Sequence, residues 1–138
     1  MTLSTKIFRR TVTVAATLAA AAISTAFVAN ISVAAVPHLK LTRAFPSADT
    51  TLTTAPDAVR LWLSEPAALP GSKISVADAK GTVVPVTALT RGAKADDPIV
   101  GKFVTPPGNG VYTITWKAMS KDGHVVNGTI PFTVRTGK

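Results

Sequence analysis

The sequence contains no cysteine, two methionines, two histidines and only seven acidic residues in 138. Without thiols it can form no disulfide and no thiolate metal site. A blue-copper centre, which needs a cysteine sulfur, is excluded with them. Aromatic residues make up 6% of the chain. They are not interleaved with the cations, which fall singly and form no basic run. The positive charge therefore reads as a solvated surface, and nucleic acid is not expected as a partner. No helical period is visible after Pro37. With cysteine absent, any nitrogen or sulfur chemistry beyond the backbone rests chiefly on His38 and His124.

What the sequence does hold in one block is apolar length. Lys6, Arg9 and Arg10 are followed by "TVTVAATLAAAAISTAFVANISVAAVP", which carries no charge from Thr11 to Pro37. A basic start, an apolar stretch and small residues towards its end are the marks of a secretory signal. Residues 1–37 are accordingly expected to be a signal peptide, with Ala34 or Ala35 at the cut. About 20 apolar residues suffice to cross a bilayer, so an uncleaved anchor is the alternative. Residues 38–138 then form one exported domain of 101 residues, enough for a single modest core. Setting aside Lys6, Arg9 and Arg10 leaves twelve basic against seven acidic residues, a net charge near +5.

Within 38–138 the period is two almost throughout. "HLKLTRA" sets Leu39, Leu41 and Arg43 on one side, and "AVRLWLSEP" sets Val59, Leu61 and Leu63 against Arg60, Trp62 and Ser64. "PSADTTLTTAPD" reads as a turn-rich connection between them. "KISVADAKGTVVPVTAL" looks like two strands turned at Ala79-Lys80-Gly81, with Ile74 and Val76 inward. "IVGKFVT" and "GVYTITWKAM" are separated by the breakers "PPGNG". Tyr112, Ile114 and Trp116 share a face, as do Ile130, Phe132 and Val134. Pro85 and Pro131 within strand-like runs predict edges or bulges, and the polar "TRGAKADDP" predicts an exposed loop. The expected fold is all-β, an antiparallel Greek-key sandwich or barrel of about seven strands, immunoglobulin-like or cupredoxin-like.

The stretch "MSKDGHVVNG" places Asp122 and His124 two residues apart, between two such strands. If the backbone is extended there, both side chains point the same way, and a carboxylate and an imidazole suit a tetragonal Cu(II) ion. The same four residues, "KDGH", also make an ordinary turn, with Asp capping the bend and Gly supplying the tight angle. His38 can join them only if the start of the first strand lies at the same end of the sandwich.

The order "PHLKLTRAFPSADTTLTTAPDAVRLWLSEP" followed by "GNGVYTITWKAMSKDGHVVNGTIPFTV" resembles the CopC family of periplasmic copper-binding proteins. Gly110, Tyr112, Trp116, Ser120, Asp122, Gly123, His124, Gly128, Phe132 and Val134 fall into the family's final motif together. The resemblance implies a Cu(II) site in which a mature N-terminal histidine, matching His38, binds through its amine and ring. Asp122 and His124 match the family's Asp-x-His pair, and Glu65 matches a glutamate near the site. It also implies copper sequestration, transfer or resistance without catalysis, with the copper ion and an inner-membrane CopD-type protein as partners.

Two departures stand out. Pro37 precedes His38, a poor residue at −1 of a signal-peptidase site, and cleavage after Ala34 or Ala35 would deny His38 its α-amine. The segment equivalent to the family's methionine-rich Cu(I) loop has no methionine, so no Cu(I) site is expected, and Met119 is assigned to the core. Two other functions remain open at this point. One is a metal-free immunoglobulin-like interaction module, favoured by Pro37 and the long leader. The other is a histidine-brace copper oxidase or monooxygenase, which the small size of the domain and its lack of an aromatic platform oppose.

Overall fold

The computed structural model describes residues 38–137. The leader expected over 1–37, with its cleavage site or anchor, lies outside the described residues. Among them no helix occurs, and nine strands form two sheets. They are β1 (Leu41–Phe45), β2 (Thr50–Leu52), β3 (Ala58–Leu63), β4 (Ala68–Asp78), β5 (Val83–Val84), β6 (Thr90–Arg91), β7 (Ile99–Lys102), β8 (Gly110–Met119) and β9 (Val125–Val134). The four-stranded sheet runs β1-β3-β7-β6 and the five-stranded sheet β2-β9-β8-β4-β5. All pairings are antiparallel except β2 with β9.

The core follows from the period-two stripes. Val59 and Leu61 of β3 and Ile99 of β7 face Ile74, Val76, Ile114, Trp116, Ile130 and Phe132 of the other sheet, all buried. Tyr112 stacks on Phe132 at 5.4 Å between centroids, and its hydroxyl donates to the Gly108 carbonyl at 2.9 Å. A buried phenol is thus satisfied where its ring packs. The long hairpin β8–β9 pairs continuously from Gly110↔Val134 to Met119↔Val125. It carries the inward alternation without a slip to its tip, which fixes what the tip presents.

Several expectations are refined. The ladder of β1 shifts register between Leu41 and Arg43. Leu41 therefore packs inward while Arg43 turns out and lies 3.7 Å over the Trp62 ring; a bulge, not the simple alternation, decides its face. The connection "PSADTTLTTAPD" contains β2, a three-residue strand parallel to β9. Pro131 stands inside β9 one residue before the stretch that β2 covers, and its carbonyl accepts from the Asp49 N–H at 2.8 Å. Pro85 follows β5, the edge strand of its sheet. Met119 is only half-buried, the last residue of β8.

Candidate metal centre

The hairpin between β8 and β9 is Ser120-Lys121-Asp122-Gly123-His124. Its frame is main chain: the Ser120 N–H donates to the His124 carbonyl at 2.8 Å, and the Gly123 N–H to the Ser120 carbonyl at 3.0 Å. Gly123 has φ of 89°, in the region that glycine enters without a Cβ penalty. The backbone here is a turn and not an extended strand. Asp122 and His124 still meet, because the tight bend folds one side chain back onto the other.

Their contact is direct. Oδ2 of Asp122 lies 2.7 Å from Nδ1 of His124, while Oδ1 accepts from the Ser120 hydroxyl and, at 3.3 Å, from the His124 N–H. The Ser120 hydroxyl is foremost in holding the Asp122 carboxyl down at about 2, followed by the His124 side chain and N–H. Above that pH the carboxylate is a pure acceptor, so Nδ1 of His124 must carry the proton in this bond. In the neutral imidazole that leaves Nε2 as the ring nitrogen with a free lone pair. Orientation of one imidazole nitrogen by a carboxylate is the usual setting of a metal-binding histidine.

His38 arrives from the other sheet. It precedes β1, and the chain beside it is fastened to the end of β3: the Lys40 N–H donates to Ser64 Oγ at 2.9 Å, and the Ser64 N–H to the Lys40 carbonyl at 2.8 Å. Leu39 between them is buried at 4% exposure, which pins the strand start and leaves His38 at the surface. Glu65 follows Ser64 directly. His38, Leu39, Glu65, Ser120, Lys121, Asp122, His124, Val125 and Val126 line one cleft of about 610 Å³. The four residues singled out in the sequence therefore share one end of the sandwich and one concavity.

They do not all touch. Among the described residues no three His, Asp or Glu side chains stand close enough to share an ion; only Asp122 and His124 are in contact. The donors that line the cleft, two imidazoles and two carboxylates, are those of a nitrogen- and oxygen-ligated divalent cation. Its walls of Leu39, Val125 and Val126 limit the competing polar contacts. Ser120 and Lys121, which also line the cleft, are not among the site residues read from the sequence. For Ser120 a signal existed: it stands just past β8, two residues after Ala118, where continuing the inward alternation calls for an apolar residue.

The CopC domain model matches residues 41–135. Protein YobA of Escherichia coli K12 is 28% identical over 98 residues, which are 71% of this chain and 79% of that protein. Among solved structures, CopC from Methylosinus trichosporium OB3b superposes with a TM-score of 0.67 at 27% identity, covering 73% of this chain and 97% of that one. PcoC, described as a methionine-rich copper resistance protein from Escherichia coli, gives a TM-score of 0.62 at 27% identity, over 71% of this chain and 99% of its own. With the domain matched across both sheets and through the Asp122–His124 hairpin, the chain belongs to the CopC family.

Proposed function

We propose that the protein is an exported, periplasmic Cu(II)-binding protein that sequesters copper or passes it on in copper resistance. The observation that carries this reading is the cleft that His38 and Glu65 share with the preorganised Asp122–His124 pair. His124 offers Nε2 and His38 a second imidazole, giving the nitrogen donors that Cu(II) favours. Asp122 holds His124 in orientation and, with Glu65, supplies negative charge beside the cation. An N-terminus at His38 would add an amine to the same set. Copper is here cargo, bound and released, and no residue is assigned to catalysis.

The likeness to Escherichia PcoC, described as a copper resistance protein, supports copper as that cargo. PcoC is described as methionine-rich, whereas this chain has methionine only at positions 1 and 119. The proposed site is therefore for Cu(II), held by nitrogen and oxygen, and not for Cu(I) held by thioethers. Transfer to an inner-membrane CopD-type protein belongs to the same proposal.

The deciding experiment is a Cu(II) titration followed by EPR on protein matured in its own periplasm. One equivalent giving a tetragonal signal with nitrogen couplings, lost in His124→Ala, is the expected result. Absence of a stoichiometric signal would favour a second reading, a β-sandwich interaction module without metal. One observation speaks for that reading: His38 and Glu65 do not close onto the Asp122–His124 pair.

A further inference from the structure

The inward stripe of β8 runs Tyr112, Ile114, Trp116, Ala118, all buried, and its next position is Ser120, 5% exposed. Ser120 is the one buried polar residue among those described. Burying a hydroxyl is costly unless it is hydrogen-bonded, and a break in an otherwise consistent apolar pattern is where functional constraint is to be sought. By contrast the two side chains it serves are open to water, with 53% of Asp122 and 77% of His124 exposed. Packing cannot orient an imidazole so exposed. Its orientation has to come from hydrogen bonds, and they lead back to a single rooted group.

We propose that Ser120 is a positioning residue of the metal centre: its buried hydroxyl fixes the Asp122 carboxylate, which in turn holds Nδ1–H of His124 and turns Nε2 to the metal. The chain of donation runs Ser120 Oγ–H to Asp122 Oδ1, then His124 Nδ1–H to Asp122 Oδ2 at 2.7 Å. Without Ser120, Oδ1 keeps only the His124 N–H at 3.3 Å, a long bond that leaves the carboxylate free to rotate away. The hydroxyl also lies 3.2 Å from the His124 carbonyl, so it sits between both ends of the turn. The step to the metal rests on the copper reading above; the step to the imidazole does not.

The test separates the two. In the metal-free protein, ¹⁵N NMR of the imidazole reports which nitrogen carries the proton. The wild type is expected to show the Nδ1–H tautomer at His124, Ser120→Ala a mixture with Nε2–H, and Ser120→Thr a return towards the wild type. With copper added, Ser120→Ala is expected to bind about 10-fold or more weakly, the loss typical of an outer partner of a ligand, with changed EPR couplings that Ser120→Thr restores. If Ser120→Ala does not fold, Ser120→Cys, close in size and a poor donor, is read in the same way. A variant that lowers Tm but keeps the wild-type tautomer and couplings would reduce Ser120 to a turn stabiliser and overturn the proposal. A wild type that binds no Cu(II) would sink the functional reading, while the tautomer still decides the role of Ser120.

Discussion

The five-stranded sheet contains two hairpin turns built from an aspartate and a left-handed glycine, and they spend the aspartate differently. In the β4–β5 turn, Oδ1 of Asp78 accepts from the N–H groups of Lys80 and Thr82, both at 2.8 Å, with Gly81 at φ of 83°. That carboxylate is consumed by the backbone, and the bend is a capped turn in the ordinary sense. In the β8–β9 turn, Gly123 plays the same part at 89°, but Asp122 has only one long bond to the main chain and gives its other oxygen to an imidazole. The backbone frame of that hairpin is closed without it. An Asp-x-x-Gly or Asp-Gly turn thus becomes a site when its carboxylate is released from capping.

The largest expected contrast comes from exchanging one residue in each turn. His124→Ala should weaken Cu(II) more than about 100-fold, beyond the loss typical of an outer partner, while Tm barely moves because the ring packs on little. Asp78→Ala should do the reverse, lowering Tm and leaving the copper titration unchanged. A copper defect in Asp78→Ala would erase the distinction between the two turns.

Next in size is Asp122→Asn, which keeps the shape of the carboxylate but not its charge. Copper affinity should fall about 10- to 100-fold, measured by competition against a chelator. The Asp78→Asn variant should show no such loss. The two glycines sharpen the comparison further. Gly81 and Gly123 both have open space where a Cβ would go, so Gly→Ala at either should cost only the backbone penalty, about 1–2 kcal/mol. Equal shifts in urea midpoint are expected, with copper binding disturbed in Gly123→Ala alone.

The smallest effect is on acid stability. Bonds from the Thr82 N–H, first, and the Lys80 N–H hold the Asp78 carboxyl below its usual 3.8, and Asp122 is held at about 2. In both cases the unfolded chain binds more protons than the folded one, so stability rises with pH through this window. The contribution is complete above 3.8 and is lost as pH falls through the depressed values. The midpoint of urea unfolding should accordingly drop on acidification, more shallowly in Asp78→Asn. An unchanged slope would mean that the capping bonds of Asp78 do not persist in solution.

Much of the sandwich was legible because its long strands alternate. Tyr112, Ile114 and Trp116, and Ile130, Phe132 and Val134, lie inward as their spacing requires. What escaped the pattern is what alternation cannot encode. β2 is three residues long, Thr-Thr-Leu, and owes its existence to a parallel pairing with β9 that no local periodicity announces. Arg43 changes face through a bulge. At the site, the proximity of Asp122 and His124 was readable from spacing, although the turn, not an extended backbone, produces it. The approach of His38 depends on β1 and β8–β9 belonging to opposite sheets, a property of the whole fold, and it came from resemblance to a family. Ser120 was visible as a misfit in the inward stripe, but its partner could be found only once the turn was drawn.

Every bond recorded for the hairpin frame begins and ends within residues 120–124. Such a loop behaves as a cassette. Any antiparallel hairpin whose last inward position can take a serine is a potential host for it, and transplantation would carry the oriented imidazole along. What would not travel with it is His38, which only the packing of the two sheets brings to the same cleft.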